Sequence, residues 1–338
     1  MAAELMHGGA LQPIQAQFSA APQPWIDLST GVNPWPYPMA TTDGDYTQLP
    51  EPGDLQQLRE AAASAFAVAP QRLLAGPGSE LLMRLLPAVV SAHHVGLARV
   101  GYGDYRAIWQ QAGALITSAE DVLETAGRVD LMMLGNPNNP DGRQYTPDQL
   151  LNALHELQQR QGWLVVDEAY GELYPELSIL AAAGQPGLIV FRSFGKFYGL
   201  PGLRLGWVMA PPDILQRYAA YLGVWPVHSA ALNVATQAYH DRNWQQQTRH
   251  TLSAAGFRLT ELLVAHNLEI IGATDLFCLV RADSADRLWH ELAEAGIYVR
   301  HFAEHPGCLR FGLPAAETGW ERLHNVLNRH RSSWVARP

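Results

Sequence analysis

The stretch Ser193-Phe194-Gly195-Lys196-Phe197-Tyr198-Gly199-Leu200-Pro201-Gly202-Leu203-Arg204-Leu205-Gly206 decides how the rest of the chain is read. One lysine sits among small, flexible residues, with an arginine eight positions later. The apolar run Gly187–Arg192 leads in as a strand and Leu203–Met209 reads as the next, so Lys196 falls on the connection between them. Binding groups concentrate on such loop ends. A buried amine there can lose its proton and form a Schiff base with an aldehyde. Ser193 before it and Arg204 after it suit a phosphate. A surface lysine in a glycine-rich loop fits this stretch equally well.

Outward from this stretch, the segment from Leu74 to Met209 alternates strand and helix patterns. Strands are expected at Val95–Val100, Leu115–Thr117, Asp130–Leu134, Trp163–Val166, Leu188–Phe191 and Leu203–Met209, with helices at Ser79–Ser91, Tyr105–Ala112 and Pro147–Gln161. Such alternation specifies an α/β layer built on a largely parallel sheet. A helix fits Leu55–Val68 before it, with Asp54 as N-cap. Beyond Pro211-Pro212 the pattern changes to helices followed by mixed strands and helices, a smaller α+β unit. Residues 1 to about 50 are rich in Gly, Pro and polar residues and read as an arm, whose Trp25, Trp35 and Tyr37 need a surface to cover.

Composition narrows the function classes. The 338 residues are 48% apolar and carry 23 basic against 32 acidic side chains, a net charge of −9, which offers no basic stripe for nucleic acid. Leu81–Val90 is broken by Arg84 and Pro87, so no membrane span is expected. Cys278 and Cys308 lack metal-ligand spacing, and Met-Ala-Ala-Glu lacks the blocks of a signal peptide, which together point to the cytoplasm and to no bound metal. No Gly-x-Gly-x-x-Gly follows a predicted strand, which argues against a nicotinamide enzyme. The expected partners are small molecules and a second copy of the chain.

Four further motifs sit at predicted strand ends. Gly76-Pro77-Gly78-Ser79-Glu80 precedes a helix and presents free backbone N–H groups to a phosphate, or simply caps the helix. Asn136-Pro137-Asn138-Asn139-Pro140-Asp141-Gly142 offers amides to a hydroxyl, or is an ordinary turn. Val165-Val166-Asp167-Glu168-Ala169-Tyr170 ends a buried strand in a carboxylate, which is costly without a cation; a protonated pyridine nitrogen would be one, while capping of the next turn is the alternative. Gly101-Tyr102-Gly103-Asp104-Tyr105 offers an aromatic to stack on a planar ring, or contributes to the core. Near the C-terminus, Arg300 and Arg310 lie among apolar strand residues and suit a carboxylate or phosphate, or a structural ion pair.

The ordered set Gly78-Ser79, Asn139-Pro140-Asp141-Gly142, Asp167-Glu168-Ala169-Tyr170 and Ser193-Phe194-Gly195-Lys196 with Arg204 resembles the class I/II aminotransferase family, over almost the whole chain. The resemblance implies pyridoxal 5'-phosphate (PLP) fold-type I, aspartate aminotransferase-like: a large domain with a mostly parallel seven-stranded sheet and a small α+β domain, in a homodimer. It implies an arm at 1–40 packed on the active site and small domain, a large PLP-binding domain at 41–225 and a small domain at 226–338. It also implies that Lys196 bonds the cofactor, Asp167 pairs with its ring nitrogen, and Asn139 and Tyr170 contact its ring oxygen. Ser79, Ser193 and Arg204, with backbone from Gly78 and Glu80, would hold its phosphate, Tyr105 would stack on it, and Arg310 would take the substrate carboxylate. Where related enzymes usually place a tyrosine that reaches the neighbouring subunit's cofactor phosphate, this chain has Leu49, which cannot donate that bond, and Tyr46 is the nearby phenol.

The arm narrows the resemblance. His7-Gly8-Gly9, then Asp27-Leu28-Ser29-Thr30-Gly31-Val32-Asn33-Pro34, then Arg300 with His305-Pro306-Gly307 and Arg310 resemble the threonine-phosphate decarboxylase group of cobalamin biosynthesis. That implies decarboxylation of L-threonine O-3-phosphate, with His7, Gly8, Gly31, Asn33, Asn139, Arg300 and Arg310 at the substrate. The alternative is an aminotransferase for histidinol phosphate or an aromatic amino acid, whose relatives share the cofactor motifs.

Overall fold

Strands β1 to β12 cover Ile26–Leu28, Leu73–Gly76, His94–Ala98, Leu115–Ala119, Leu131–Gly135, Trp163–Asp167, Leu188–Ser193, Gly206–Met209, Glu269–Thr274, Phe277–Arg281, Ile297–His301 and Cys308–Gly312. The computed structural model describes residues 8–39 and 47–329. Among these, one compact unit holds 36–39, 47–139 and 143–247, and the other 8–35, 140–142 and 248–329.

The larger unit is built on a seven-stranded sheet in the order β2-β8-β7-β6-β5-β3-β4. Strands β3 to β7 run parallel, and β8 is antiparallel to both β7 and β2. The central strands are apolar on both faces because both faces are covered: every residue of Leu131–Gly135 and all but the last of Leu188–Ser193 are buried. One face packs Leu82, Met83, Tyr105, Ile108 and Trp109 against Val165, Ile189, Phe191 and Val208. Register then fixes the site's foundation. Gly135 pairs with Asp167, and Asp167 with Phe191, so the carboxyl ends of β5, β6 and β7 finish together at one edge. Open α/β sheets place their ligands at that edge.

Local chemistry sets the helices. Pro147–Gln158 begins at a capping box, in which Thr146 Oγ accepts from the Gln149 amide at 3.3 Å and Gln149 Oε1 accepts from the Thr146 amide at 2.9 Å. Such a cap contributes about 1 kcal/mol. Its buried Leu150, Ala153, Leu154 and Leu157 follow the helical period. The single helix expected over Ser79–Ser91 is instead two, Ser79–Arg84 and Leu86–Val89. Pro87 is the cause: it has no N–H to give to the carbonyl four residues back.

β2 is the strand that the sequence patterns leave out. It is four residues long, follows the short turn Pro70–Arg72, and pairs antiparallel with β8 so that Gly76 faces Gly206.

The smaller unit has a five-stranded sheet in the order β1-β11-β12-β10-β9. The arm is part of it, since β1 pairs in parallel with β11, Ile26 opposite Ile297. Trp25 packs with Phe18 and Trp289 around Ile14 and Tyr298. Trp35 donates from Nε1 to the Ala315 carbonyl at 2.9 Å. In the larger unit Tyr37 is buried against Tyr198 and Trp244. Of the three expected cover-seeking aromatics, Tyr37 is thus buried within one chain, while Trp25 and Trp35 are half-buried. The expected boundary at 225/226 also differs from the division at Gln247/Thr248. The helix Ser229–His240 stays with the larger sheet because Tyr239 accepts a hydrogen bond from Trp207 Nε1 at 2.8 Å and packs edge-on against Phe66.

Candidate active site

The edge where β5, β6 and β7 end opens into a cavity of about 150 Å³. Gly78, Ser79, Glu80, Tyr105, Asn139, Asp167, Tyr170, Ser193, Lys196 and Arg204, which are all ten expected cofactor-site residues, line it. Tyr102 and Met83 also line it.

Lys196 stands in the one-turn helix Phe194–Phe197 that follows β7, half-buried. Gly195 permits this tight turn, since a Cβ there would lie 2.6 Å from the Pro201 Cα. The pairing of β2 with β8 brings together two motifs far apart in sequence. A Cβ on Gly206 would lie 2.1 Å from the Ser79 amide nitrogen, so only glycine permits this approach. Gly78, at φ +92°, lies against the Arg204 guanidinium, 2.8 Å from where its Cβ would be. Ser79, Ser193 and Arg204 thus surround one end of the cavity with hydroxyl, amide and guanidinium donors, the chemistry a phosphate requires. Glu80 contributes a carboxylate held by Arg84 at 2.9 Å.

Asp167 ends β6 and is 7% exposed. Burial pushes its carboxyl up to about 6, even though Tyr105, the Ala169 amide and Lys196 each favour the charged form, while neighbouring Glu168 opposes it. Oδ2 accepts from the Tyr105 hydroxyl at 2.7 Å and Oδ1 from the Ala169 amide at 3.0 Å. Tyr105 therefore does more than offer a ring face: its hydroxyl holds the carboxylate. Burial raises the Tyr105 phenol well above its usual range, so it remains a donor. This bond joins residues 62 apart in the chain and has no local sequence signal. Tyr102 packs edge-on against Tyr105 at 5.4 Å.

The asparagine turn divides its labour. Asn136 is spent on the backbone of Tyr145 and Leu177, and Asn138 donates to the Val100 carbonyl at 2.9 Å. Asn139 is the amide that lines the cavity.

Of the expected substrate residues, Gly8, Gly31, Asn33, Arg300 and Arg310 fall in the smaller unit and Asn139 in the larger. Arg300 and Arg310 are directly opposite each other in the antiparallel β11–β12 pair. Both guanidinium groups lie near the Phe302 ring, at 5.0 and 6.0 Å. Arg310 is buried, packs over Phe277 at 5.1 Å and donates from Nη2 to the Ser29 carbonyl at 2.8 Å. Ser29 Oγ in turn accepts from the Gly9 amide at 2.8 Å and donates to Asp27 at 2.6 Å. Gly8 packs so closely on Ser29 that a Cβ would meet its carbonyl oxygen at 2.3 Å. Gly31 and Asn33 are buried in the same arm segment, and Asn33 Oδ1 accepts from the Trp35 amide at 2.8 Å. His7 and Tyr46 lie outside the described residues, and Leu49 is 65% exposed.

An amine, a buried carboxylate, three phenols, an amide and a phosphate-suited donor cluster fit pyridoxal 5'-phosphate as a set. Among the described residues no cluster of His, Cys, Asp and Glu could hold a metal ion, and no helix is long and apolar enough to cross a membrane.

Comparison with known proteins gives a consistent result. The chain is 39% identical to a threonine-phosphate decarboxylase of Pseudomonas aeruginosa, over 96% of this chain and 97% of that one. It is 36% identical to a threonine-phosphate decarboxylase of a Sinorhizobium species, over 97% and 99%. Its fold is similar to the histidinol-phosphate aminotransferase of Sinorhizobium meliloti, solved in complex with pyridoxal-5'-phosphate, with a TM-score of 0.80, 20% identity and 94% of each chain covered. The aminotransferase class I and II family matches residues 9–328, and the chain belongs to that family.

Proposed function

We propose that this protein is a PLP-dependent carboxy-lyase that converts L-threonine O-3-phosphate into (R)-1-amino-2-propanol O-2-phosphate and carbon dioxide, in cobalamin biosynthesis. The observation that carries the reading is the near end-to-end similarity to two threonine-phosphate decarboxylases, arm included. The arginines support it. Like charges directly opposite on a ladder are unfavourable in themselves, and Arg300 beside Arg310 suits a substrate with two anionic groups, a phosphate and a carboxylate.

When bound, the cofactor supplies an electron sink for the bond cleaved at the substrate's Cα. The roles of the chain's own residues in this reading are those that the family resemblance implies. Lys196 Nζ carries the cofactor and afterwards delivers a proton to Cα. The Asp167 carboxylate keeps the ring nitrogen protonated, and Tyr105 and the Ala169 amide keep Asp167 in place. Asn139 and Tyr170 serve the ring oxygen, while Ser79, Ser193, Arg204 and the backbone of Gly78 and Glu80 serve the phosphate. Arg310 takes the substrate carboxylate. Arg300, with the arm residues His7, Gly8, Gly31 and Asn33, takes the substrate phosphate and so selects which bond at Cα is presented for cleavage.

The enzyme works in the cytoplasm as a homodimer in this reading. Support for the dimer comes from Tyr221, Val224 and Trp225, which are 57–74% exposed, and from Leu49 nearby in the larger unit. Patches of this kind mark association surfaces. The deciding assay supplies threonine phosphate without a keto acid, then histidinol phosphate with 2-oxoglutarate. Carbon dioxide in the first is expected; glutamate in the second with none in the first would replace the lyase by the aminotransferase reading.

A further inference from the structure

Behind the cavity, on the other face of the sheet, a guanidinium is buried with two carboxylates. Arg192 precedes Ser193 in β7, and because side chains alternate along a strand the two point to opposite faces. Arg192 is 4% exposed, Glu168 0% and Glu172 8%. Arg192 Nε donates to Glu168 Oε2 at 2.9 Å, Nη2 lies 2.8 Å from the same oxygen and donates to Ser178 Oγ at 3.1 Å, and Nη1 lies 3.5 Å from Glu172 Oε2. Glu168 also accepts from the Ser178 hydroxyl at 2.7 Å and the Ile179 amide at 2.8 Å. A Cβ on Gly171 would sit 2.5 Å from Arg192 Cζ, so the loop through Tyr170 and Glu172 closes directly over the guanidinium. Two buried acids around one buried base is not an arrangement that stability alone favours, since apolar replacements of similar volume are often as stable.

We infer that Arg192 is a positioning residue: through Glu168 and Glu172 it ties the segment bearing Asp167 and Tyr170 to the segment bearing Ser193 and Lys196, and its charge balances that of Glu168 next to Asp167. The inference rests on PLP occupying the cavity, and not on which substrate follows. Asp167 is faced by Tyr102, Tyr105, Lys196 and Glu168, and of these Glu168 is the one that raises its ionisation point. Arg192 is faced by Glu168, Glu172 and Tyr239.

A purely structural pair and a charge-balancing pair predict different signs. If the pair only holds the fold, Glu168→Gln and Arg192→Gln break the same contact and change cofactor affinity in the same direction at every pH. If Arg192 balances charge beside Asp167, Glu168→Gln moves the pH midpoint of cofactor binding down and Arg192→Gln moves it up, each by on the order of half to one unit. Arg192→Lys keeps the charge and therefore the midpoint, but weakens affinity several-fold because an ammonium cannot replace the guanidinium fork.

The experiment strips the full-length wild type and these variants of cofactor and titrates PLP by fluorescence from pH 5 to pH 8.5. Opposite midpoint shifts support the inference; equal shifts, or none, overturn it. Should Arg192→Gln fail to fold, Glu168→Gln and Glu172→Gln carry the test, and two unshifted midpoints overturn the inference equally. A wild type that binds PLP but releases no carbon dioxide from threonine phosphate removes the proposed function and leaves this test unaffected.

Discussion

Tyr105→Phe deletes one oxygen and with it the 2.7 Å hydrogen bond to Asp167 Oδ2, while keeping the ring. A hydrogen bond to a buried charged group contributes about 1.5–3 kcal/mol. At about 1.4 kcal/mol per unit, its loss raises the Asp167 carboxyl by roughly 1–2 units, from about 6 to a value near or above neutrality. PLP binding through a protonated ring nitrogen needs Asp167 ionised, so affinity drops wherever the carboxyl is protonated. At pH 7 the variant should bind PLP about 2–10-fold more weakly than the wild type, and at pH 9 nearly as well. Fluorescence titration across that range reads both values directly. A loss of affinity that is equal at pH 7 and pH 9 would refute the reasoning, because it would mean that Tyr105 acts through its ring and not through Asp167.

Lys196→Ala should abolish turnover and the borohydride-fixable PLP adduct together, and an adduct persisting on another lysine would contradict the assignment. Gly206→Ala drives a Cβ to 2.1 Å from the Ser79 amide nitrogen; PLP affinity should fall at least tenfold while affinity for pyridoxal, which has no phosphate, changes less. Equal losses for both would remove the phosphate from that end of the cavity. Trp225→Glu, on the 57% exposed indole, should convert dimer to monomer in sedimentation without unfolding the chain, and an unchanged dimer would locate the interface elsewhere. Asp167→Asn should slow turnover severely yet leave the cofactor-free protein at least as stable as the wild type at pH 7. Ionising a buried carboxyl whose folded value is raised costs stability: the cost is absent below the usual carboxylate value of 3.8, grows as pH rises towards about 6 and is complete above it. Calorimetry of the cofactor-free proteins at pH 4 and pH 7 tests this, since the variant's relative stability should improve at the higher pH.

What could be read in the sequence depended on locality. The strands β5, β6 and β7 are built on the apolar runs Leu131–Leu134, Trp163–Val166 and Leu188–Phe191, so both the strands and the groups at the ends of β6 and β7, Asp167 and Ser193, were visible. β2 was not visible, because Leu73–Gly76 is short and sits between a turn and a helix start. That strand is what sets Gly78 and Ser79 beside Arg204, so the residues offered two separate phosphate-suited motifs, and their joining into one cluster was recognisable only through the family resemblance. The Tyr105–Asp167 bond was hidden for the same reason: it depends on the first turn of the helix Gly103–Gln111 meeting the end of β6 in space. Arg192 did leave a trace, a charged residue inside a buried apolar strand, but its partners Glu168 and Glu172 belong to another segment.

The ionisation of Asp167 links these features. A carboxylate with its value raised to about 6 by burial is a standing cost to the empty protein, on the order of 3 kcal/mol above pH 6. The chain nevertheless surrounds it with groups that favour its charge: a phenol, a backbone amide and a lysine on one face of the sheet. On the other face Arg192 balances the adjacent Glu168. Such an arrangement holds a negative charge ready at a fixed position in a low-dielectric wall, and a cation arriving there recovers the cost as binding energy. The cofactor's ring nitrogen is that cation in this reading, so the same burial that weakens the empty fold strengthens the loaded one. The coupling runs both ways, because whatever binds the ionised form also lowers the pH at which Asp167 gives up its proton.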